Sequence, residues 1–169
     1  MSEIQPLQQV DKKAIMSLYR AVTKDLRKQG NRQWDWFYPN GIVIGSDLKN
    51  HTLYGMKVGS QVTAAVALDA NQSPQYAPLP WSNTPGKPAC VHRLAVHPDH
   101  QGKGLGKRLL AFAEELAMQQ GYSSIRLDVY TGNPGALAMY VRAGYRQVGE
   151  VRFPFRETPY MCMEKILYN

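Results

Sequence analysis

Cysteine is scarce in this chain: Cys90 and Cys162 are the only two in 169 residues. Two thiols cannot build a disulfide scaffold, and they lack metal-ligand spacing, so the expectation is a fold without staples or metal in a reducing compartment. No apolar run is long enough to cross a bilayer. The start, Met1-Ser-Glu-Ile-Gln-Pro6, has no basic region followed by an apolar stretch, so a cytoplasmic protein with no membrane partner is expected. There is no internal repeat. Acidic residues are too few to balance the basic ones, and the net charge of +7 favours a polyanionic ligand. The basic residues are nevertheless scattered and mixed with acids, without the stripe of a nucleic-acid binder, which argues against nucleic acid as partner. A chain of this length is expected to form one domain, 1–169, burying on the order of 70% of its unfolded surface.

Glycine, by contrast, is concentrated where it matters. His97-Pro-Asp-His-Gln101-Gly102-Lys103-Gly104-Leu-Gly106-Lys107 joins an apolar strand to an amphipathic helix. Glycines at 102, 104 and 106 allow positive φ and close backbone approach to a ligand. The unpaired N–H groups of a first helical turn and the helix dipole then form an anion site, to which Lys103 and Lys107 add charge. Leu105, Leu109, Phe112 and Leu116 mark one helix face, with Glu114, Glu115 and Gln119 elsewhere on its surface. Two phosphate-binding signatures fail here on their residues. A Walker loop needs glycine and Ser/Thr where Gln101 and Arg108 stand, and the dinucleotide fingerprint needs its third glycine where Lys107 stands.

A second segment carries its own pattern. Ile125, Leu127 and Val129 alternate with Arg126, Asp128 and Tyr130, as in a strand with two different faces. Asn133 and Pro134 read as N-cap and first residue of a short helix that Gly144 ends. Taken together, Gln101-x-x-Gly104-x-Gly106 after Arg93-Leu94-Ala95-Val96-His97-Pro98, and the run Leu127 to Tyr145 with Asn133, Ala136, Tyr140 and Gly144-Tyr145 in register, resemble the GCN5-related N-acetyltransferase (GNAT) family. The close resemblance covers residues 89–150; the first half matches mainly in the order of its elements.

Periodicity places those elements. Glu3 to Leu7 reads as a short edge strand, with Pro6 tolerable only at an edge. Asp11 can cap a helix with buried face Ile15, Leu18, Val22 and Leu26, ending near Gly30. A shorter helix is expected in Gly41 to Leu48, then a hairpin of Leu53 to Val58 and Gln61 to Leu68 turned by Gly59-Ser60. Asn71 to Pro88 holds five prolines and is expected to be a long, irregular surface loop. Ala89 to Val96 is the central strand, Gly104 to Gln120 its helix, and Ser124 to Tyr130, Arg146 to Val151 and Tyr160 to Leu167 the remaining strands. The expected fold class is α/β: a three-layer α-β-α domain with a mixed, mostly antiparallel sheet of about seven strands, which the resemblance splays between the fourth and fifth.

The resemblance implies a function for these residues. It points to acetyl-CoA as cofactor, with pantetheine pairing to strand backbone near Leu94, Ala95 and Val96, which a bulge would leave unpaired in the sheet. Pyrophosphate would lie on the backbone of Gln101 to Lys107, including Gly102, Lys103, Gly104 and Gly106, and Asn133 and Ala136 would meet the pantetheine region. An N–H near Leu94 would polarise the thioester carbonyl, and Tyr140 would protonate the departing thiolate, the alternative being a core tyrosine. Many family members use a strand carboxylate as base. Here the central strand offers only Cys90 and His92, which leaves His92 as candidate base or as a packed histidine. Cys90 with His92 lacks the third orienting group of a nucleophilic pair, and Asp128 reads as a structural hydrogen-bonding carboxylate.

Trp34, Trp36, Phe37 and Tyr38 form an aromatic cluster in the region that lines the acceptor pocket in this family. Trp34 and Tyr38 are candidate substrate contacts, or the cluster is a lid on the core. Arg152, Phe153, Phe155 and Arg156 could edge the same pocket, with a solvated loop as the other reading. The expected activity is direct transfer of an acetyl group to a primary amine of a small molecule or peptide in a ternary complex. The alternatives are a non-catalytic coenzyme A binding or sensing domain, and transfer of a longer acyl group. Homodimers are common in the family.

Overall fold

The computed structural model describes residues 2–167. In chain order the elements are β1 (Gln5–Pro6), α1 (Lys12–Lys28), α2 (Gly41–Lys49), β2 (Leu53–Val58), β3 (Gln61–Asp69), β4 (Pro88–Val96), α3 (Leu105–Gln119), β5 (Ser124–Tyr130), α4 (Pro134–Arg142), β6 (Arg146–Val151) and β7 (Tyr160–Ile166). Among the described residues the strands form a seven-stranded mixed sheet of order β1-β2-β3-β4-β5-β7-β6. The α/β class expected from the periodicities is the one observed. The chain divides into two compact units, Met1–Leu68 with His92–Ala113 and Asp69–Val91 with Glu114–Asn169.

In the first unit, α1 forms because apolar residues recur at helical spacing. Ile15, Leu18, Tyr19, Val22 and Thr23 are buried, and Arg27 and Lys28 in the last turn suit the negative end of the dipole. Gly30, at φ 78°, closes it. Asp11 stands at the N-cap position, but its side chain makes no cap bond. It turns back to accept from the Gln8 N–H at 2.8 Å and from Lys57 Nζ at 2.7 Å. Burial alone would raise its pKa, but Lys57 and the Gln8 N–H outweigh that and hold it below the ordinary carboxylate value. Asp11 therefore stabilises the fold above the carboxylate range, and that contribution is lost as pH falls through its lowered pKa.

Asn40 does cap α2, its Oδ1 accepting from Ile42 and Val43 at 3.0 Å each. The β2–β3 hairpin turns at Gly59, φ 61°. Ile15, Leu18, Tyr19, Ile44, Leu53 and Ala65 are among the residues of one buried cluster, each large side chain contributing ~1.5–3 kcal/mol by leaving water.

The latter half of β4 holds this unit's least expected feature. Arg93 sits at φ 52°, a left-handed conformation costly for any residue with a Cβ. Its guanidinium meets Asp47 through two bonds, at 2.7 and 2.9 Å, and donates to the Tyr38 hydroxyl at 3.1 Å. Its carbonyl accepts from the Tyr19 hydroxyl at 2.7 Å. Burial disfavours the charge on Arg93, but Tyr38, Asp47 and Tyr19 more than offset this and hold its pKa above the ordinary arginine value. A left-handed residue breaks the regular alternation of faces along the strand.

The second unit is built on β7. It pairs antiparallel with β5 from Ser124↔Ile166 to Tyr130↔Tyr160, and on its other side with β6. The parallel ladder of β4 with β5 covers Pro88↔Ser124, Ala89↔Ile125 and Cys90↔Arg126. The proline-rich segment before β4 is the irregular, mostly exposed loop its composition suggested, with its two large aromatics as exceptions. Tyr76 and Trp81 are buried with Cys90, Val151 and Cys162, and the prolines stiffen a segment whose aromatics belong to the core. In α3 the fully buried stripe is Leu109, Leu110, Ala113 and Ala117. Of the helix face marked by spacing, Leu109 lies in this stripe while Leu105, Phe112 and Leu116 are half-buried.

The Arg93–Asp47 pair is about nine-tenths buried on both sides. Replacing Asp47 with alanine strands a buried cation in a strained backbone, so urea or thermal unfolding is expected to show a loss of ~3–5 kcal/mol. That corresponds to a fall in melting temperature on the order of 10 °C.

Candidate active site

Elements of the first unit present a bare row of backbone donors. His97 Nδ1 accepts from the Asp99 N–H at 3.1 Å, shaping a tight turn over Pro98–His100. Gln101 then donates its amide to the Val96 carbonyl at 3.1 Å, tying the turn to the end of β4. Gly102 and Gly104 follow at φ 78° and 77°, and a Cβ added at either would meet nothing within 4 Å. Gly106 differs from expectation: it lies inside the first turn of α3 and has no positive φ. From Gly102 to Lys107 no backbone N–H donates to a protein acceptor among the described residues; the next amide, Arg108, returns to the Gly104 carbonyl at 3.1 Å. These donors lie at the positive end of a fifteen-residue helix with the exposed Lys103 and Lys107 among them. Arg108 is committed elsewhere, to the Ser2 carbonyl at 2.9 Å.

Just before this turn, Ala95 is buried while His92, Leu94 and Val96 are half-buried. The Val96 carbonyl, proposed from the resemblance as a pantetheine contact, is the one that holds Gln101. The His97 N–H donates to the Thr63 carbonyl at 2.8 Å.

In the second unit the short helix α4 is capped as its sequence predicts. Asn133 Oδ1 accepts from the Ala136 N–H at 3.1 Å and Pro134 takes the first helical position. Two turns on, Tyr140 is buried with its ring edge-on to Tyr145 at 5.7 Å. Tyr145 is held in turn: its hydroxyl donates to Glu114 at 3.3 Å, and Lys165 pairs with the same carboxylate at 2.6 Å. The Tyr140 hydroxyl itself makes no hydrogen bond among the described residues. Burial, with the charge of Asp128 adding to it, raises the Tyr140 pKa above the ordinary phenol value.

Asp128, read from the sequence as a structural hydrogen-bonding carboxylate, does hold a partly buried hydrogen bond. It is half-buried on β5, opposite Cys162 on β7, and accepts from the Tyr76 hydroxyl at 2.5 Å. Tyr76 is 52 positions away, and neither its proline-rich context nor its spacing signals the pairing.

The aromatic cluster after α1 divides. Trp34, an expected substrate contact, is only 7% exposed and packs edge-on to Tyr19 at 5.5 Å within the core. Tyr38 is fixed by Arg93. The aromatic surface is carried instead by Trp36 and Phe37, 63% and 81% exposed, because Asp35 Oδ1 accepts from the Phe37 and Tyr38 N–H groups and turns the chain outward. In the segment before β7, Phe153 packs on Tyr160 and Phe155 is fully exposed at φ 62°. Arg152 donates to the Glu157 carbonyl at 2.9 Å. Among the described residues no three metal-ligating side chains gather, and no helix is long and apolar enough to cross a membrane.

The family model described as "Acetyltransferase (GNAT) family" matches residues 15–145. A Bacillus subtilis protein described as an uncharacterized N-acetyltransferase is 28% identical over 152 residues, covering 82% of this chain and 78% of that protein. Mycothiol acetyltransferase of Clavibacter sepedonicus is 35% identical over 83 residues, 49% of this chain and 27% of that protein. The N-alpha-acetyltransferase RimI of Mycobacterium tuberculosis is 41% identical over 66 residues, 39% of this chain and 40% of that protein. The matches to these last two span less than half of their length. A GNAT-family acetyltransferase structure from Streptococcus agalactiae superposes with a TM-score of 0.84 at 20% identity, covering 99% of this chain and 96% of that one. A Salmonella typhimurium structure described with its cofactor acetyl-CoA gives 0.75 at 18% identity, over 100% and 95%.

Alanine at Gly102 and Gly104 together would force two left-handed residues to carry a Cβ, at ~1–2 kcal/mol each. The turn is expected to relax away from its present shape. Calorimetry with coenzyme A should show affinity reduced at least about tenfold, while the Lys103→Ala variant should lose affinity mainly at low salt.

Proposed function

Because the chain belongs to the acetyltransferase (GNAT) family, we propose that it transfers an acetyl group from acetyl-CoA to a primary amine of a small molecule or peptide, directly and within a ternary complex. The observation that carries this reading is the run of unpartnered N–H groups from Gly102 to Lys107 at the start of α3. A diphosphate matches it in charge, in the number of acceptor atoms and in the space left by two glycines without Cβ. Lys103 and Lys107 would neutralise remaining charge. In the first unit the backbone near Leu94 and Ala95 is the candidate for aligning the pantetheine arm, and in the second the resemblance assigns Asn133 and Ala136 at the head of α4 to the same cofactor.

When bound, acetyl-CoA supplies the activated acyl group and a thiolate as leaving group. The chain's own residues manage protons. Tyr140 has the right form for the acid, since its raised pKa keeps the phenol protonated through neutral and mildly alkaline pH, ready to donate to a departing sulfur. Removal of a proton from the acceptor ammonium has two candidates, His92 on β4 and Asp128 on β5. Asp128 is favoured by one observation: its charge acts on Tyr140, so taking up the amine proton at Asp128 would lower the cost of giving up the phenol proton. Most of the remaining rate advantage is positioning of amine and thioester. Cys90 and Cys162 are unsuited to covalent catalysis, because burial, with nearby carboxylates adding to it, pushes both thiols up to about 12.

Thiol release from acetyl-CoA across a panel of primary amines tests the proposal; release with none, despite tight coenzyme A binding, would leave a binding or sensing domain. A propionyl- or succinyl-CoA preference would instead mark a longer acyl donor. Tyr140→Phe is expected to lower kcat about 10- to 100-fold without abolishing it, since a thiolate is already a fair leaving group. Asp128→Asn should remove the acid limb of the kcat/KM profile and cost about 100-fold or more, whereas His92→Gln should leave that limb in place.

A further inference from the structure

We propose that Tyr76 is a positioning residue of the transfer reaction: its buried hydroxyl, donated to Asp128 at 2.5 Å, fixes the carboxylate on β5 and favours the anion that receives the amine proton. The inference rests on Asp128 as proton acceptor and extends it to a segment outside both glycine and asparagine motifs.

The construction around Tyr76 supports it. Its ring is 2% exposed and lies against Trp81 at 5.2 Å, and the Trp81 indole N–H donates to the Tyr76 carbonyl at 2.8 Å. The Arg126 guanidinium stacks over Trp81 at 4.4 Å while donating to Gln72 at 2.7 Å and to the Asn83 carbonyl at 3.2 Å. Ser82 and Asn83 N–H groups donate to the buried Glu164 at 2.8 and 3.1 Å. Both ends of the Tyr76 segment are thus anchored to β5 and β7, and the phenol has little freedom to leave the carboxylate. A phenylalanine would close the same core equally well. The hydroxyl adds a charge-assisted bond to a strand carboxylate, and such bonds are short and favour the ionised form.

The other titratable groups acting on this arrangement are Cys90 from β4, Cys162 from β7 and Tyr140 from α4, with Arg126 near Tyr76. Burial, reinforced by Asp128, keeps Tyr76 protonated well beyond neutral pH, and the thiols and Tyr140 are likewise neutral there. Tyr76 therefore acts as a fixed donor and never as the proton acceptor. In the transfer step the ammonium N–H bond breaks and its proton goes to Asp128. The nitrogen lone pair forms the new C–N bond, the C–S bond breaks and Tyr140 gives its proton to sulfur; the second proton, lost by the acylated nitrogen, restores the Tyr140 phenol, and Asp128 releases the first to solvent, leaving amide and thiol.

The test is Tyr76→Phe in the full chain, read first in protein without ligand. Carbon-13 carboxyl NMR should show the Asp128 titration midpoint rising by about one pH unit, as expected when one hydrogen bond to the anion is lost. The acid limb of kcat/KM should move upward with it, with KM for coenzyme A thioester unchanged within about twofold. Should Tyr76→Phe fail to fold, Trp81→Phe loosens the packing behind the phenol and should shift both readouts the same way by a smaller amount. A midpoint that stays put, while Asp128→Asn still removes the limb, overturns the role of Tyr76 alone. If Asp128→Asn keeps the wild-type rate and limb, the assignment of Asp128 falls, and the role of Tyr76 falls with it.

Discussion

Arg93 is the residue on which the first unit's contribution depends. A left-handed arginine in the middle of a strand costs about 1–2 kcal/mol, and it persists because a buried two-bond pair with Asp47, a bond to Tyr38 and the bond from Tyr19 to its carbonyl all require that geometry. Remove the pair and the strand has every reason to relax to regular β. The described ladder of β4 with β5 ends earlier, at Cys90↔Arg126, and on the proposed function the strand backbone beyond Arg93 would pair with the pantetheine arm. The helices α1 and α2 matter for the same reason: one supplies Tyr19 and the other Asp47 to a backbone position neither of them contains.

The turn that follows obeys a different constraint. Most turns close their own donors, whereas this one leaves those of Gly102 to Lys107 open, a cost acceptable only because the segment is exposed to water or to an anion that replaces it. The Gln101 side chain solves the accompanying problem of stiffness. By donating to the Val96 carbonyl it fixes where the open donors begin, so the turn is tied at its entry and helical at its exit, left-handed at Gly102 and Gly104 between them.

Local chemistry was legible in the sequence and distant pairing was not. Asn133-Pro134 and Gly144 announce α4 because capping and helix termination act within a few residues, and the Gly59-Ser60 hairpin and the glycine turn are readable for the same reason. Arg93–Asp47 joins positions 46 apart and Tyr76–Asp128 positions 52 apart, so neither partner's neighbourhood advertises the other. The segment of five prolines was legible only in part. Proline signals irregular backbone correctly, but it says nothing of whether the side chains between prolines are buried, and Tyr76 and Trp81 are. In α3 the helical spacing was right while the face was rotated: small alanines at 113 and 117 go inward because they allow close packing, and the bulkier Phe112 and Leu116 stay at the margin.

The electrostatic character of the second unit bears on what kind of transfer this chain can perform. Buried thiols compete poorly as nucleophiles, since the thiolate is the reactive form and both cysteines are held protonated up to about 12. An acyl-cysteine route would need a cation or a helix N-terminus at the thiol, and at Cys90 the largest influence, burial, works against the thiolate, while Arg126 offsets only part of it. The phenols of Tyr76 and Tyr140 are protonated for the same reason, burial first and the Asp128 charge second. On the proposed function, neutral phenols beside one strand carboxylate can hold a proton and release another, whereas neither cysteine is ready to take an acyl chain. That distribution of charge fits attack by the amine itself, and it makes proton placement, more than covalent chemistry, the task these side chains are suited to.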